Sequence, residues 1–167
     1  MDLKLSQEQR LLANTIRSFI RHELKPLEQD IEETGRLSDA LAVDIRKKSQ
    51  SLGLYAVNIP SEFGGGGLSV LDWMIAEEQF GWTSDILIRR AFGNVYEILL
   101  EGSAVQIENY LLPAVRGDRT FSVAFTEPEA GSDAAAITSQ ATRSNDGWVL
   151  NGTSTLFRMG IIPIFLL

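Results

Sequence analysis

The sequence predicts an α+β protein: an amino-terminal α-helical bundle followed by a partial, small antiparallel β domain. Three features of its 167 residues lead there. Up to residue 112, apolar side chains recur at helical spacing behind Ser-x-x-Gln starts. Beyond residue 120, short aromatic and β-branched runs alternate with Gly- and Asn-containing turns. Between them the segment from Pro113 to Arg119 carries neither pattern, which places a helical domain over residues 1–115 and an incomplete β domain over residues 116–167. With 44% hydrophobic and 22% charged residues, the chain can bury a core.

Ser6 and Gln9 form a capping box, and Leu12, Ile16, Phe19 and Ile20 share one face of the helix behind it. Pro26, without an amide hydrogen, is expected to interrupt that helix, while Leu27 and Ile31 continue its apolar stripe. Leu41, Ile45 and Leu52 mark a second helix, closed by Gly53. The run "IPSEFGGGG" over residues 59–67 reads as a loop. Ser69 caps a third helix with Trp73, Ile75, Ala76 and Phe80 on its apolar face, and Gly81 ends it. A fourth helix is expected from about Asp85 to Leu100. Ser103 and Gln106 repeat the capping box before "IENYLL" and a stop at Pro113. Leu12, Ile16, Phe19, Leu41, Ile45, Trp73 and Phe80 are the expected bundle core. In the second part "FSVAF", residues 121–125, is strand-like and residues 137–143 alternate. "SNDG" is a turn, "WVL" a short strand, and Asn151-Gly152 a hairpin turn.

Fifteen basic against 22 acidic residues give a net charge of −7, which argues against nucleic acid or an anionic membrane as partner. A small anionic ligand has to be held by local dipoles instead. Cysteine is absent, so disulfides, thiol nucleophiles and thiolate metal sites are excluded. The single histidine, His22, lies on a polar helical stretch and reads as a solvated surface residue, so no metal site is expected. The start, "MDLKLSQEQR", has no apolar core of the kind a secretory signal needs, and no window reaches the ~20 apolar residues of a membrane span. A cytoplasmic location is the expectation.

Four glycines at 64–67 suggest a phosphate loop, but no Gly-Lys-Ser/Thr sequence follows them, and an interhelical connection is the better reading. "TEPEAGSD", residues 126–133, is more informative. Pro128 fixes a backbone angle, Gly131 admits close backbone approach, and Ser132 adds a hydroxyl donor. Glu127, Glu129 and Asp133 would repel an anion unless they face solvent or cap backbone amides. From the residues alone, a structural Asx-type turn and an anion cradle both remain open.

"PSEFGGGGLSVLD" (60–72), "LLPAVRGD" (111–118) and "FTEPEAGSD" (125–133) stand in this order and spacing, and in them the chain resembles the acyl-CoA dehydrogenase family of FAD-dependent flavoproteins over about residues 3–153. The resemblance implies a helical domain preceding a middle β domain against which FAD lies. It implies that Phe125 and Thr126 face the flavin ring and that Gly131 and Ser132 approach the pyrophosphate or the bound CoA thioester. It further implies α,β-dehydrogenation of an acyl-CoA thioester, an electron-accepting flavoprotein as redox partner, and homo-oligomeric assembly. The sequence departs from the family pattern after Asn151-Gly152: Ser154 stands for a lysine, Leu156 for an aromatic, Arg158 for a hydroxyl residue near the flavin, and Met159 for an asparagine. The family's catalytic base and much of its tetramer interface lie in a C-terminal helical domain without counterpart here, and "IIPIFLL" looks like either an altered reading frame or a truncated product. The expectation is a truncated chain without a catalytic residue of its own; the alternative is a non-catalytic helical assembly or acyl-binding module.

Overall fold

The computed structural model describes residues 4–93, 95–121 and 125–155. The chain divides into two compact units, Met1–Thr120 and Phe121–Leu167. The first is helical and the second holds a two-stranded antiparallel sheet, an α+β organisation.

Helix α1, Gln7–Phe19, begins at the anticipated capping box: the Gln9 amide donates to Ser6 Oγ at 3.1 Å and the Ser6 amide to Gln9 Oε1 at 3.0 Å. Ala13, Ile16 and Phe19 are buried, and Leu12 is partly so. Pro26 interrupts the helix in a specific way. Its ring excludes the carbonyl four residues back and it has no N–H to donate. The backbone widens into a π-turn, Ile20–Leu24, in which the Lys25 amide donates to the Ile20 carbonyl, before a 3₁₀ turn at Lys25–Leu27 leads into α2, Glu28–Thr34.

Helix α3, Asp39–Ser51, is capped by Ser38 and followed by Gly53 at φ +69°. Its inward face differs from the expected one. Ala42, Ile45 and Ser49 are buried, whereas Leu41 is 37% and Leu52 51% exposed. α3 packs on α5, Asp85–Phe92, and two of the three residues it buries, Ala42 and Ser49, are small. α4, Val70–Phe80, starts at Ser69 and packs on α1, burying Ile75, Ala76, Gln79 and Phe80. Trp73 is only half-buried, its indole N–H donating to Glu77 at 2.9 Å. Phe92 joins the core by stacking on Phe80 at 4.1 Å and meeting Phe19 edge-on.

The fourth helix ends at Phe92 instead of reaching Leu100. Gly93 sits at φ +86°, and a Cβ there would meet the Tyr55 ring at 3.0 Å. The Phe92 carbonyl accepts from Ala56, so the chain is turned by tertiary contacts that only glycine permits. A 3₁₀ turn follows at Glu97–Glu101. The second capping box is present at Ser103 and opens α6, Ala104–Gln106. The helical path does not stop at Pro113. A second π-turn, Ile107–Leu111, with the Leu112 amide donating to the Ile107 carbonyl, absorbs the proline as the first one absorbs Pro26, and α7 continues over Leu112–Val115.

In the second unit β1, Gln140–Ser144, pairs with β2, Gly147–Asn151, from Gln140↔Asn151 to Ser144↔Gly147 around the anticipated "SNDG" turn. The strand starts later than the alternation suggested, because Ala134–Ala136 form a 3₁₀ turn. Both strands are exposed at every position. Asn151-Gly152 ends β2 and makes no hairpin among the described residues. Residues 122–124 of "FSVAF", together with Leu156, Arg158, Met159 and "IIPIFLL", lie outside the described residues. Among the described residues no helix is long and apolar enough to cross a membrane.

Candidate functional site

The loop between Phe125 and β1 is built from its own short-range chemistry. Glu127 and Ala130 exchange backbone hydrogen bonds of 3.0 and 3.2 Å, closing a turn whose tip, Pro128-Glu129, is exposed. Asp133 accepts from the Ala135 amide at 3.1 Å and so starts the 3₁₀ turn, an Asx-type cap. Thr126 is half-buried, and its carbonyl accepts from the Thr155 amide at 2.7 Å. Phe125, at the start of the loop, is 58% exposed.

Glu127 is the unusual member, a carboxylate residue only 5% exposed. It accepts from the Thr138 amide at 2.8 Å, the Thr138 hydroxyl at 2.7 Å and the Ser139 amide at 2.8 Å. Donation from Ser139 and then from Thr138 stabilises the ionised form and holds its pKa down to about 2. Of the three acids whose direction was open, Glu127 and Asp133 thus turn onto backbone amides, and Glu129 faces solvent.

Gly131 and Ser132 are exposed between these two anchored acids. Among the described residues a Cβ built on Gly131 would meet nothing within 4 Å, so this edge of the loop is open. All four anticipated residues therefore lie on one loop, Phe125 and Thr126 where it begins and Gly131 and Ser132 at its open edge. Sequence reasoning missed Thr138 and Ser139, and took Gly152 for a hairpin turn. The only signal was a Thr-Ser pair just before a strand. Gly152 packs so closely on Ser139 that a Cβ would collide with that side chain, which makes close approach the reason for this glycine.

The other glycine-rich segment holds no phosphate cradle. The amides of Gly64, Gly65, Gly66 and Gly67 donate to the carbonyls of Ser61, Pro60, Ala56 and Ile59, leaving none for an anion. Gly65 and Gly66 lie flat against the Ile59 and Val57 backbone, as an interhelical connection requires. The run borders an open cleft of about 450 Å³, on whose rim Gln50 Nε2 donates to the Arg116 carbonyl and Arg116 Nε to Asp118, both at 2.9 Å. His22 is exposed, with Nδ1 2.8 Å from the Ser18 carbonyl. Among the described residues no three metal-ligating side chains come together.

Residues 6–118 match the family model described as acyl-CoA dehydrogenase, N-terminal domain. The chain is 36% identical over 155 residues to the mitochondrial short-chain specific acyl-CoA dehydrogenase of Homo sapiens, covering 90% of this chain and 37% of that protein. It is 31% identical over 164 residues to the short-chain specific acyl-CoA dehydrogenase of Clostridium acetobutylicum, covering 96% and 42%. Its fold is similar to the crystal structure of an acyl-CoA dehydrogenase complexed with FAD from Bacillus anthracis, with a TM-score of 0.73 and 28% identity over 92% of this chain and 27% of that one. The chain spans about two fifths of the length of these curated relatives.

Proposed function

From the premise that the chain belongs to the acyl-CoA dehydrogenase family, we propose that residues 125–139 form part of the FAD cradle of a flavoprotein that dehydrogenates acyl-CoA thioesters. The observation that carries the proposal is the open Gly131-Ser132 edge, flanked by two acids whose charge is turned onto the loop's own amides. An anionic pyrophosphate or thioester head can approach this backbone with the Glu127 and Asp133 carboxylates already held by the loop's own amides. The residues therefore fit the group. Phe125 and Thr126 would serve the flavin ring, and Gly131 and Ser132 the pyrophosphate or the CoA thioester. When bound, FAD supplies a two-electron acceptor for the hydrogen leaving the β-carbon.

The chain's own contribution is binding and orientation. A general base for the α-proton needs a pKa near the working pH and a free lone pair. Glu127 has neither, with its pKa at about 2 and its oxygens engaged by Thr138 and Ser139. Glu129 sits at the exposed turn tip. The 167-residue polypeptide by itself is accordingly proposed to bind without turning over. Short acyl-CoA thioesters, named for the relatives, are the first substrates to try with the whole protein, and an electron-accepting flavoprotein and homo-oligomeric assembly complete the proposal. A cytoplasmic location belongs to it as well, to be checked by cell fractionation. The test of the cradle is flavin retention: the purified chain, mixed with FAD and desalted, should keep the yellow absorption band. A colourless product, folded by circular dichroism, would remove the cradle.

A further inference from the structure

We propose that Glu127 is a positioning residue of this site: its carboxylate, bonded to Thr138 and Ser139, holds residues 130–137 in the form that presents the Gly131 and Ser132 backbone to an anionic ligand. The ligand's identity rests on the cradle reading above, whereas the loop-holding role stands on its own geometry.

Among the described residues, the backbone hydrogen bonds inside this loop are all short-range: Glu127 with Ala130, Ala136 to Asp133, and Ile137 to Ala134. They shape individual turns but leave the loop's two ends unconnected. The Glu127 side chain supplies the missing link, since its three bonds span 11 and 12 residues and join the loop's first turn to the two residues that lead into β1. The far end is itself fixed. Ser139 is backed by Gly152, and Thr126 beside Glu127 is tied to Thr155, so the carboxylate stands where three stretches of the unit meet.

The chemistry asks for glutamate and no near relative. Three donors converge on acceptors only, which an ionised carboxylate provides. Glutamine would turn an NH₂ group toward an N–H, and aspartate is one methylene too short to reach both Thr138 and Ser139. The same three donors absorb the negative charge, so a residue close in sequence to the Gly131 edge can be acidic without opposing an anion there.

The test uses the 167-residue chain, isotopically labelled, as wild type and as Glu127→Gln, Thr138→Ala, Thr138→Ser and Glu129→Gln, with FAD as the probe. In Glu127→Gln, amide exchange at Thr138 and Ser139 should rise about tenfold, and FAD affinity should fall about tenfold, the scale of lost charge-assisted hydrogen bonds. The Gly131 and Ser132 amide resonances should also move. Thr138→Ala should fall between, while Thr138→Ser, which restores the hydroxyl, and Glu129→Gln should match wild type. Unchanged Gly131 and Ser132 resonances in Glu127→Gln overturn the proposal. If wild type binds no FAD, the cradle reading falls, and the exchange and resonance measurements alone decide the positioning role. If Glu127→Gln does not fold, Thr138→Ala is read in its place, and resonances identical to wild type overturn the proposal there.

Discussion

Among the described residues Gly131 has open space at its Cβ position, and it has no left-handed backbone angle, so a larger side chain there clashes with none of them and obstructs what approaches from outside. Gly131→Val should therefore leave the melting temperature near wild type and weaken FAD binding by at least about tenfold, whereas Glu129→Ala should change neither, because Glu129 faces solvent. Equilibrium titration with FAD, paired with a thermal melt, separates the two; equal loss in both variants would count against the open edge as the ligand side. Glu127 adds a pH dependence with a definite sign. Its pKa in the folded chain, about 2, lies below the ~4.3 of an unfolded glutamate. The stability it contributes is therefore complete above about pH 4.3 and is lost as pH falls toward 2. Amide exchange at Thr138 and Ser139, followed from pH 6 down to pH 2, should show protection declining across that window; protection that stays flat would remove the carboxylate as the clamp.

At the scale of elements, the inward face of α3 can be tested by contrast. Ile45 is 1% exposed and its truncation to Ala should cost about 2–5 kcal/mol, as should Ile16→Ala in α1. Leu41 flanks the contact at 37% exposure, and Leu41→Ala should cost under about 1 kcal/mol. Denaturant melts of the three variants check the ranking, and equal costs would mean that α3 is rotated from the face described. The break after α5 is a separate case. Gly93→Ala combines a positive φ with a Cβ 3.0 Å from the Tyr55 ring and should cost roughly 1–3 kcal/mol. Tyr55→Ala removes the ring but not the backbone strain, so a Gly93→Ala change made on that background should cost less than on wild type.

For the molecule as a whole, binding and catalysis come apart. The candidate loop offers an open Gly131-Ser132 edge, two anchored acids and, in Glu129, a carboxylate at an exposed turn tip, so the 167-residue polypeptide assayed with short acyl-CoA thioesters, FAD and an artificial electron acceptor should show no turnover. Turnover abolished by Glu127→Gln would reverse the assignment of that residue from clamp to base. Turnover surviving Glu127→Gln and Glu129→Gln would place a base elsewhere in the chain.

What the sequence determined by itself is whatever depends on a few adjacent residues. Both capping boxes, the Ser69 cap, the Gly53 terminus and the "SNDG" turn are complete within four or five positions, because a hydroxyl, an amide or a left-handed glycine acts on neighbours it cannot avoid. The four residues of the candidate loop were named through the likeness of "FTEPEAGSD" to the family pattern, and their role belongs to the proposal. Tertiary structure decided where a residue met a partner from elsewhere in the chain. Which face of α3 turned inward, with Ala42, Ile45 and Ser49 buried and Leu41 and Leu52 exposed, was set by its packing on the rest of the bundle, α5 included. The fourth helix broke at Gly93 because the Tyr55 ring lay beside it. The path ran on through Pro113 because a π-turn absorbed the missing donor. Glu127 became buried and bonded because Thr138 and Ser139 returned to it after eleven and twelve residues. Local hydrogen-bond chemistry has a short sequence range, whereas backbone approach and the partner of a buried charge exist only once distant segments have been brought together.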